Sequence, residues 1–100
     1  MEKRQDGQHY IITGGGTGIG KAIALRLAKE GAKVSLLARN LERLQSVVDE
    51  IQSEGGQAQC FSCDITDQAS VQESVRHCVS IFGSIRGVVA NSGVGGANFP

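Results

Sequence analysis

The sequence predicts an α/β fold, a doubly wound parallel sheet of four strands in the order 3-2-1-4 with three helices between them. Short apolar runs alternate with longer segments whose apolar residues recur at helical spacing. That rhythm means parallel βαβ units joined by right-handed crossovers. A second observation points the same way: the glycine-rich stretch TGGGTGIG, Thr13 to Gly20, stands between the first apolar run and the first periodic segment. Glycine at such density marks a backbone that approaches something closely.

The elements follow in order. HYIIT, His9 to Thr13, reads as a short buried strand. In the segment after the glycines Ile19, Ile23 and Leu27 recur every four residues, with Ala24 and Ala28 beside them, which is helical period. Gly31 stands where a left-handed cap belongs. Ala32 to Ala38 is nearly all apolar, as a strand covered on both faces should be. Asn40 is placed to cap the second helix, with Glu42 in its favourable first turn. Leu41, Leu44, Val47, Val48 and Ile51 form that helix's stripe, and Glu54 to Gly56 break it. Gln57 to Cys63 is the third strand. Thr66 or Asp67 starts the third helix, whose stripe is Val71, Val75, Cys78, Val79 and Phe82. Gly83 ends it, Ile85 to Asn91 is the fourth strand, and a glycine-rich loop follows.

One hundred residues suffice for one domain of modest core, 9–100, behind a polar tail, 1–8. Ten basic and ten acidic residues balance, so bulk charge points to neither nucleic acid nor an anionic membrane. No apolar run approaches the length of about 20 residues that spans a bilayer. The amino terminus carries no apolar signal-peptide core, and the expectation is a cytoplasmic protein. Cys60, Cys63 and Cys78 are an odd number of cysteines, which argues against a disulfide framework. Cys60 and Cys63 make a C-x-x-C within a strand, where positions three apart point to opposite faces. No second ligand pair at zinc spacing accompanies them, so the expectation is packed, reduced thiols and no metal.

In this fold the loop after the first strand lies at the carboxyl end of the sheet, where ligands bind. The helix that starts near Gly18 offers unpaired N–H groups and a positive dipole end, a seat for phosphate. Two chemistries share that seat. The P-loop pattern G-x-x-x-x-G-K-[ST] runs from Gly15 to Lys21 and fails at Ala22, which lacks the hydroxyl that holds Mg²⁺. Asp64 imitates the metal-holding aspartate of such an enzyme, but without the hydroxyl the hydrolase reading is remote and Lys21 reads as a solvated lysine. The glycines do fit T-G-x-x-x-G-x-G, through Thr13, Gly14, Gly18 and Gly20.

With that motif, Asp64 after the third strand, and Ala90-Asn91-Ser92-Gly93 after the fourth in place of N-N-A-G, the chain from about His9 onward resembles the amino-terminal half of a short-chain dehydrogenase/reductase. The resemblance implies a Rossmann-like NAD(P)-binding domain. It makes Thr13, Gly14, Gly16, Thr17, Gly18, Ile19, Gly20, Asn40, Ile65 and Gly93 candidates for cofactor binding, with Ile19 along the cofactor path, Asp64 at the adenine amino group and Asn91 by the adenosine ribose at the fourth strand. Gly14 would permit the tight turn, Gly18 the approach to pyrophosphate, and Gly20 close packing of helix on sheet. The bland readings stand beside these: Ile19 as core, and Asp64 as a cap on the loop before Asp67.

The residues themselves speak to the cofactor. A carboxylate about 20 residues past the glycines binds the ribose 2′-OH of NAD. Here that position is Ala38, with Arg39 next and Arg43 a turn later. Nothing repels a 2′-phosphate and a guanidinium can grip it bidentately, so NADP is favoured over NAD. The plainer alternative is an Arg39 that merely faces solvent ahead of the cap. The family's serine and Tyr-x-x-x-Lys have no counterpart up to Pro100: the only tyrosine, Tyr10, lies in the first strand. The expectation is therefore a cofactor-binding fragment of a longer oxidoreductase that acts on a carbonyl, an alcohol or an activated double bond of a small molecule and is a homo-oligomer at full length, with an apolar fourth-strand edge left open. The fragment alone would be inactive. A non-catalytic dinucleotide- or partner-binding module is the alternative.

Overall fold

His9–Thr13 forms β1, and it carries a parallel partner on each edge: β2 (Lys33–Ala38) on one side and β4 (Gly87–Ala90) on the other. β3 (Gln57–Ser62) pairs in parallel beyond β2, so the order is β3-β2-β1-β4, as the alternation of elements predicts. The computed structural model describes residues 6–14 and 18–90. Within them, β2 starts one residue later than expected and β4 two, while β3 ends at Ser62 rather than Cys63. Ala32 and Ile85 are nonetheless packed in or against the core. Their apolar character was legible; their lack of a ladder partner was not.

α1 (Gly18–Lys29) and α2 (Leu41–Ser53) cover one face of the sheet, and α3 (Gln68–Phe82) covers the other. The strands supply both cores by alternation. Ile12, Val34, Leu36 and Ala58 point to α1 and α2, against Ala24, Leu44, Val47, Val48 and Ile51. Ile11, Leu37 and Cys63 point to α3, against Cys78. Leu36 and Leu44 are fully buried, and each such side chain contributes about 1.5–3 kcal/mol.

Helix ends follow local chemistry. Asn40 caps α2, its Oδ1 accepting the Arg43 amide at 3.3 Å, and Asp67 caps α3, its Oδ1 accepting the Ala69 amide at 3.0 Å. Gly31, Gly55 and Gly83 stand at or just past the three helix C-termini with positive φ. Two stripe expectations need correction. Ile19 is 71% exposed and belongs to neither core, because the first turn of α1 projects past the strand ends. The buried line of α3 runs through Ser74 and Cys78, and Val79 is exposed, because a single helix on this face needs only a narrow contact. Leu41, in the first turn of α2, is also exposed. At the β4 end, Val88 lies level with Ile11 on the α3 face and is 61% exposed.

The α3 face also holds a buried polar chain. His9 is 1% exposed, and its Nδ1–H donates to the Gly83 carbonyl at 2.9 Å. A carbonyl only accepts, which fixes the tautomer, so Nε2 accepts the Ser35 hydroxyl at 2.7 Å. Ser35 Oγ in turn accepts Gln59 Nε2–H at 2.8 Å. His9 also meets Phe82 edge-on at 5.4 Å between centroids. The chain ties β1, β2 and β3 to the end of α3, far from the carboxyl ends of the strands. His9→Phe keeps a ring but leaves the buried Ser35 hydroxyl short of a partner, a loss of about 1–3 kcal/mol. Urea denaturation checks it, and a midpoint equal to wild type would contradict the reading.

Candidate functional site at the carboxyl edge of the sheet

The register brings the strand ends together. Thr13 lies level with Leu37 and with Ala90, and Ala38 with Ser62, so the chain leaves β1, β2 and β3 along one edge. The order reverses at β1, whose partners belong to crossovers on opposite faces, and this is where a doubly wound sheet opens a crevice for ligands. Thr13 Oγ1–H donates to the Val89 carbonyl at 3.5 Å, and the Gly14 amide donates to the Leu37 carbonyl at 2.9 Å. The start of the glycine loop is thereby anchored to both neighbours of β1.

Gly14 has φ +71° and Gly18 φ +51°, a region that side-chain-bearing residues rarely adopt. Beyond its own helix and chain neighbours, a β-carbon at Gly18 would meet nothing within 4 Å among the described residues, so the requirement for glycine there is conformational. Gly18 opens α1, whose first turn carries no acidic residue, so no carboxylate within that turn offsets the positive end of the helix dipole. Gly20 and Ala24 are the buried residues of α1, both small, which lets the helix lie close to the sheet. Lys21, half-exposed, has its Nζ 3.6 Å from Glu50 of α2, so it forms an ion pair across the two helices. Gly16, Thr17, Asn91 and Gly93 lie outside the described residues.

Arg39 follows β2 with its side chain 73% exposed, and its Nη2 lies 3.3 Å from Asp64 Oδ1. Thr66 donates to the same oxygen twice, from its hydroxyl at 2.6 Å and its amide at 3.0 Å. The Thr66 hydroxyl, then its amide, with the Arg39 guanidinium adding, hold the Asp64 carboxyl below the ordinary carboxylate range. With the folded value lowered, whatever Asp64 adds to stability is present above the ordinary value and lost as pH falls through the lowered one. Ile65 is exposed beside Asp64, as Ile19 is beside Gly18. Asn40 Oδ1 is engaged in the α2 cap. Thr66 is the contributor that motif reading missed; a hydroxyl two residues after an aspartate was the available signal, since that spacing suits an Asx turn.

A positive helix terminus, a guanidinium, exposed apolar side chains and one fixed carboxylate suit a ligand with phosphates and a flat heterocycle. Another groove, of about 490 Å³, runs between the C-terminal halves of α1 and α2, lined by Leu25, Arg26, Lys29 and Glu54 among others. It lies at the amino end of the strands, away from this constellation. Among the described residues no three His, Cys, Asp or Glu side chains gather to hold a metal, and no helix is long and apolar enough to cross a membrane. Cys60 packs on the α1–α2 face and Cys63 on the α3 face, as their odd spacing requires.

Comparison with known proteins agrees with this geometry. The family model for short chain dehydrogenase matches residues 8–100. The 7alpha-hydroxysteroid dehydrogenase of Escherichia coli K12 is 43% identical over 93 residues, 93% of this chain and 36% of that protein. The crystal structure of a hydroxysteroid dehydrogenase from Escherichia coli superposes with TM-score 0.85 at 41% identity, over 90% of this chain and 38% of the other. An actinorhodin polyketide ketoreductase solved with NADPH matches at TM-score 0.81 and 31% identity, over 91% of this chain and 34% of its own. An NAD⁺-bound xylitol dehydrogenase matches at 0.82 and 36%, over 86% and 33%. The chain thus spans little more than a third of the length of the relatives it matches.

Burial pushes the Cys60 thiol up, with Asp49 adding, and pushes Cys78 up as well. Neutral thiols are poor nucleophiles. Iodoacetamide at pH 7 should therefore label the folded protein more slowly than a free cysteine and all three thiols once urea unfolds it. A rapidly labelled thiol in the folded protein would contradict the expectation of packed, unreactive thiols.

Proposed function

The chain belongs to the short-chain dehydrogenase family, and on that premise we propose that it forms the cofactor-binding part of an NADP-dependent oxidoreductase acting on a carbonyl or alcohol of a small molecule. The bound nicotinamide supplies or accepts the hydride; the residues of this chain bind and orient. Gly14 and Gly18 let the backbone approach the pyrophosphate, and the N-terminal turn of α1 meets its charge with N–H groups and dipole. Asp64 Oδ2, which takes no hydrogen bond from the described residues while Oδ1 takes three, accepts from the adenine amino group. Ile65 packs against the adenine and Ile19 along the pyrophosphate path. Gly16, Thr17, Asn40, Asn91 and Gly93 complete the binding path by the same family resemblance.

The observation that carries the NADP preference is the Ala38–Arg39 pair. At the end of β2, where a carboxylate would accept the ribose 2′-OH of NAD, the chain places a methyl group and an exposed guanidinium. Arg43, also exposed, stands one turn into α2 as a second cation. Proton transfer to or from the substrate oxygen needs a phenol or equivalent acid beside the nicotinamide. Tyr10 does not serve: it lies within β1, and its ring packs so that a β-carbon at Gly87 would stand 3.1 Å from it. We assign that step, the substrate pocket and the oligomeric contacts to the part of the longer relatives that this chain does not span, and place the whole protein in the cytoplasm.

Arg39→Ala should raise the Kd for NADP by about 10- to 100-fold, the worth of a charge-assisted hydrogen-bonded pair. The Kd for NAD should stay within about twofold, since an exposed surface substitution does little by itself. Equal losses for both cofactors, measured by calorimetric titration, would overturn the NADP assignment.

A further inference from the structure

The two side chains proposed to read opposite ends of the adenosine are bonded to each other in the structure. Arg39 and Asp64 stand 25 residues apart in sequence, and the β2–β3 register joins them. The Cys63 amide donates to the Ala38 carbonyl at 3.0 Å, and the Ser62 hydroxyl to the Arg39 carbonyl at 3.5 Å, so the two chain exits are held side by side. The partners are unequally fixed. Asp64 keeps two bonds from Thr66 whatever Arg39 does, whereas the Arg39 side chain is held by the single contact to Asp64 Oδ1, an oxygen already shared. The carboxylate is the post and the guanidinium is what can swing.

Resting on the NADP reading, we propose that Asp64 is a specificity-determining residue that holds Arg39 in waiting across the adenosine site, and that a 2′-phosphate must draw the guanidinium off the carboxylate to bind. A phosphate accepts two parallel N–H bonds from the guanidinium fork, against one long bond to a shared carboxylate oxygen, so the exchange favours the phosphorylated ribose. A ribose without the phosphate leaves Arg39 where it is. The Asp64 charge therefore lowers the discrimination between phosphorylated and plain ribose below what Arg39 alone would give.

The test compares 2′-AMP with adenosine, fragments that differ only in that phosphate, by calorimetric titration of the wild-type protein, Asp64→Asn, Arg39→Ala and the double variant. Asparagine retains the Oδ1 that Thr66 bonds, so the loop keeps its fold. Loss of the adenine contact should weaken both fragments alike in Asp64→Asn. The ratio Kd(adenosine)/Kd(2′-AMP) should rise about two- to fivefold, the span of an exposed ion pair. With Arg39 already removed, Asp64→Asn should leave the ratio unchanged. A wild-type preference that does not rise in Asp64→Asn overturns the proposal. An equal rise without Arg39 does so too, for it would show plain repulsion of phosphate by Asp64. A ratio of one in the wild type that stays at one in Asp64→Asn overturns the NADP reading itself.

Discussion

β1 is hydrogen-bonded along both edges and covered on both faces, and the remaining architecture is arranged around that confinement. Right-handed crossovers that step from β1 to β2 and β3 in one direction, then back past β1 to β4 in the other, lie on opposite faces, which is why α1 and α2 lie on one side and α3 on the other. Parallel pairing also sends every strand exit to one edge. Each helix that follows starts at that edge, so its unsatisfied N–H groups arrive where β1, β2 and β3 end. The strand exits that lead to Gly14, Arg39 and Asp64 lie side by side because of register, through Thr13 with Leu37 and Ala38 with Ser62. The buried His9–Ser35–Gln59 chain ties the same three strands away from those exits, so the site does not depend on its own loops for rigidity.

At the edge itself, chemistry is divided between fixed and movable groups. Backbone N–H groups and the Thr66-held carboxylate of Asp64 are set before any ligand arrives, and such preorganisation lowers the ordering cost of binding. Arg39 differs: mostly exposed, joined to one partner, and able to exchange it. The hydroxysteroid dehydrogenase and ketoreductase relatives share the frame that carries these groups. Solved neighbours with NADPH and with NAD⁺ show the frame serving either cofactor.

Much of the fold was legible in the sequence because burial writes itself in periodicity. The continuous apolar run of β2, the Leu44–Val47–Val48–Ile51 line of α2, and the caps at Asn40 and Asp67 each follow from local chemistry. Where the reading strayed, the cause was three-dimensional. Ile19 keeps helical phase with Ile23 and Leu27, yet the sheet ends before it does, and phase alone does not report where a partner surface stops. Of the site, the glycines and the exposed Arg39 were visible as types at a spacing. Its bond to Asp64, the Lys21–Glu50 pair and the Thr66 clamp were not, since the first two join distant segments and the last depends on a turn.

The central claim is that a dinucleotide's adenosine end is held where β1, β2 and β3 end. The most direct measurement is a ¹H–¹⁵N correlation spectrum of the protein titrated with 2′-AMP, which maps the bound ligand onto the backbone without needing turnover. The account predicts saturable shifts concentrated in the amides of Gly14, Gly18 to Gly20, Arg39 to Leu41 and Asp64 to Thr66. Shifts concentrated instead along the groove of Arg26, Lys29 and Glu54, or no saturable shifts at all, would contradict it.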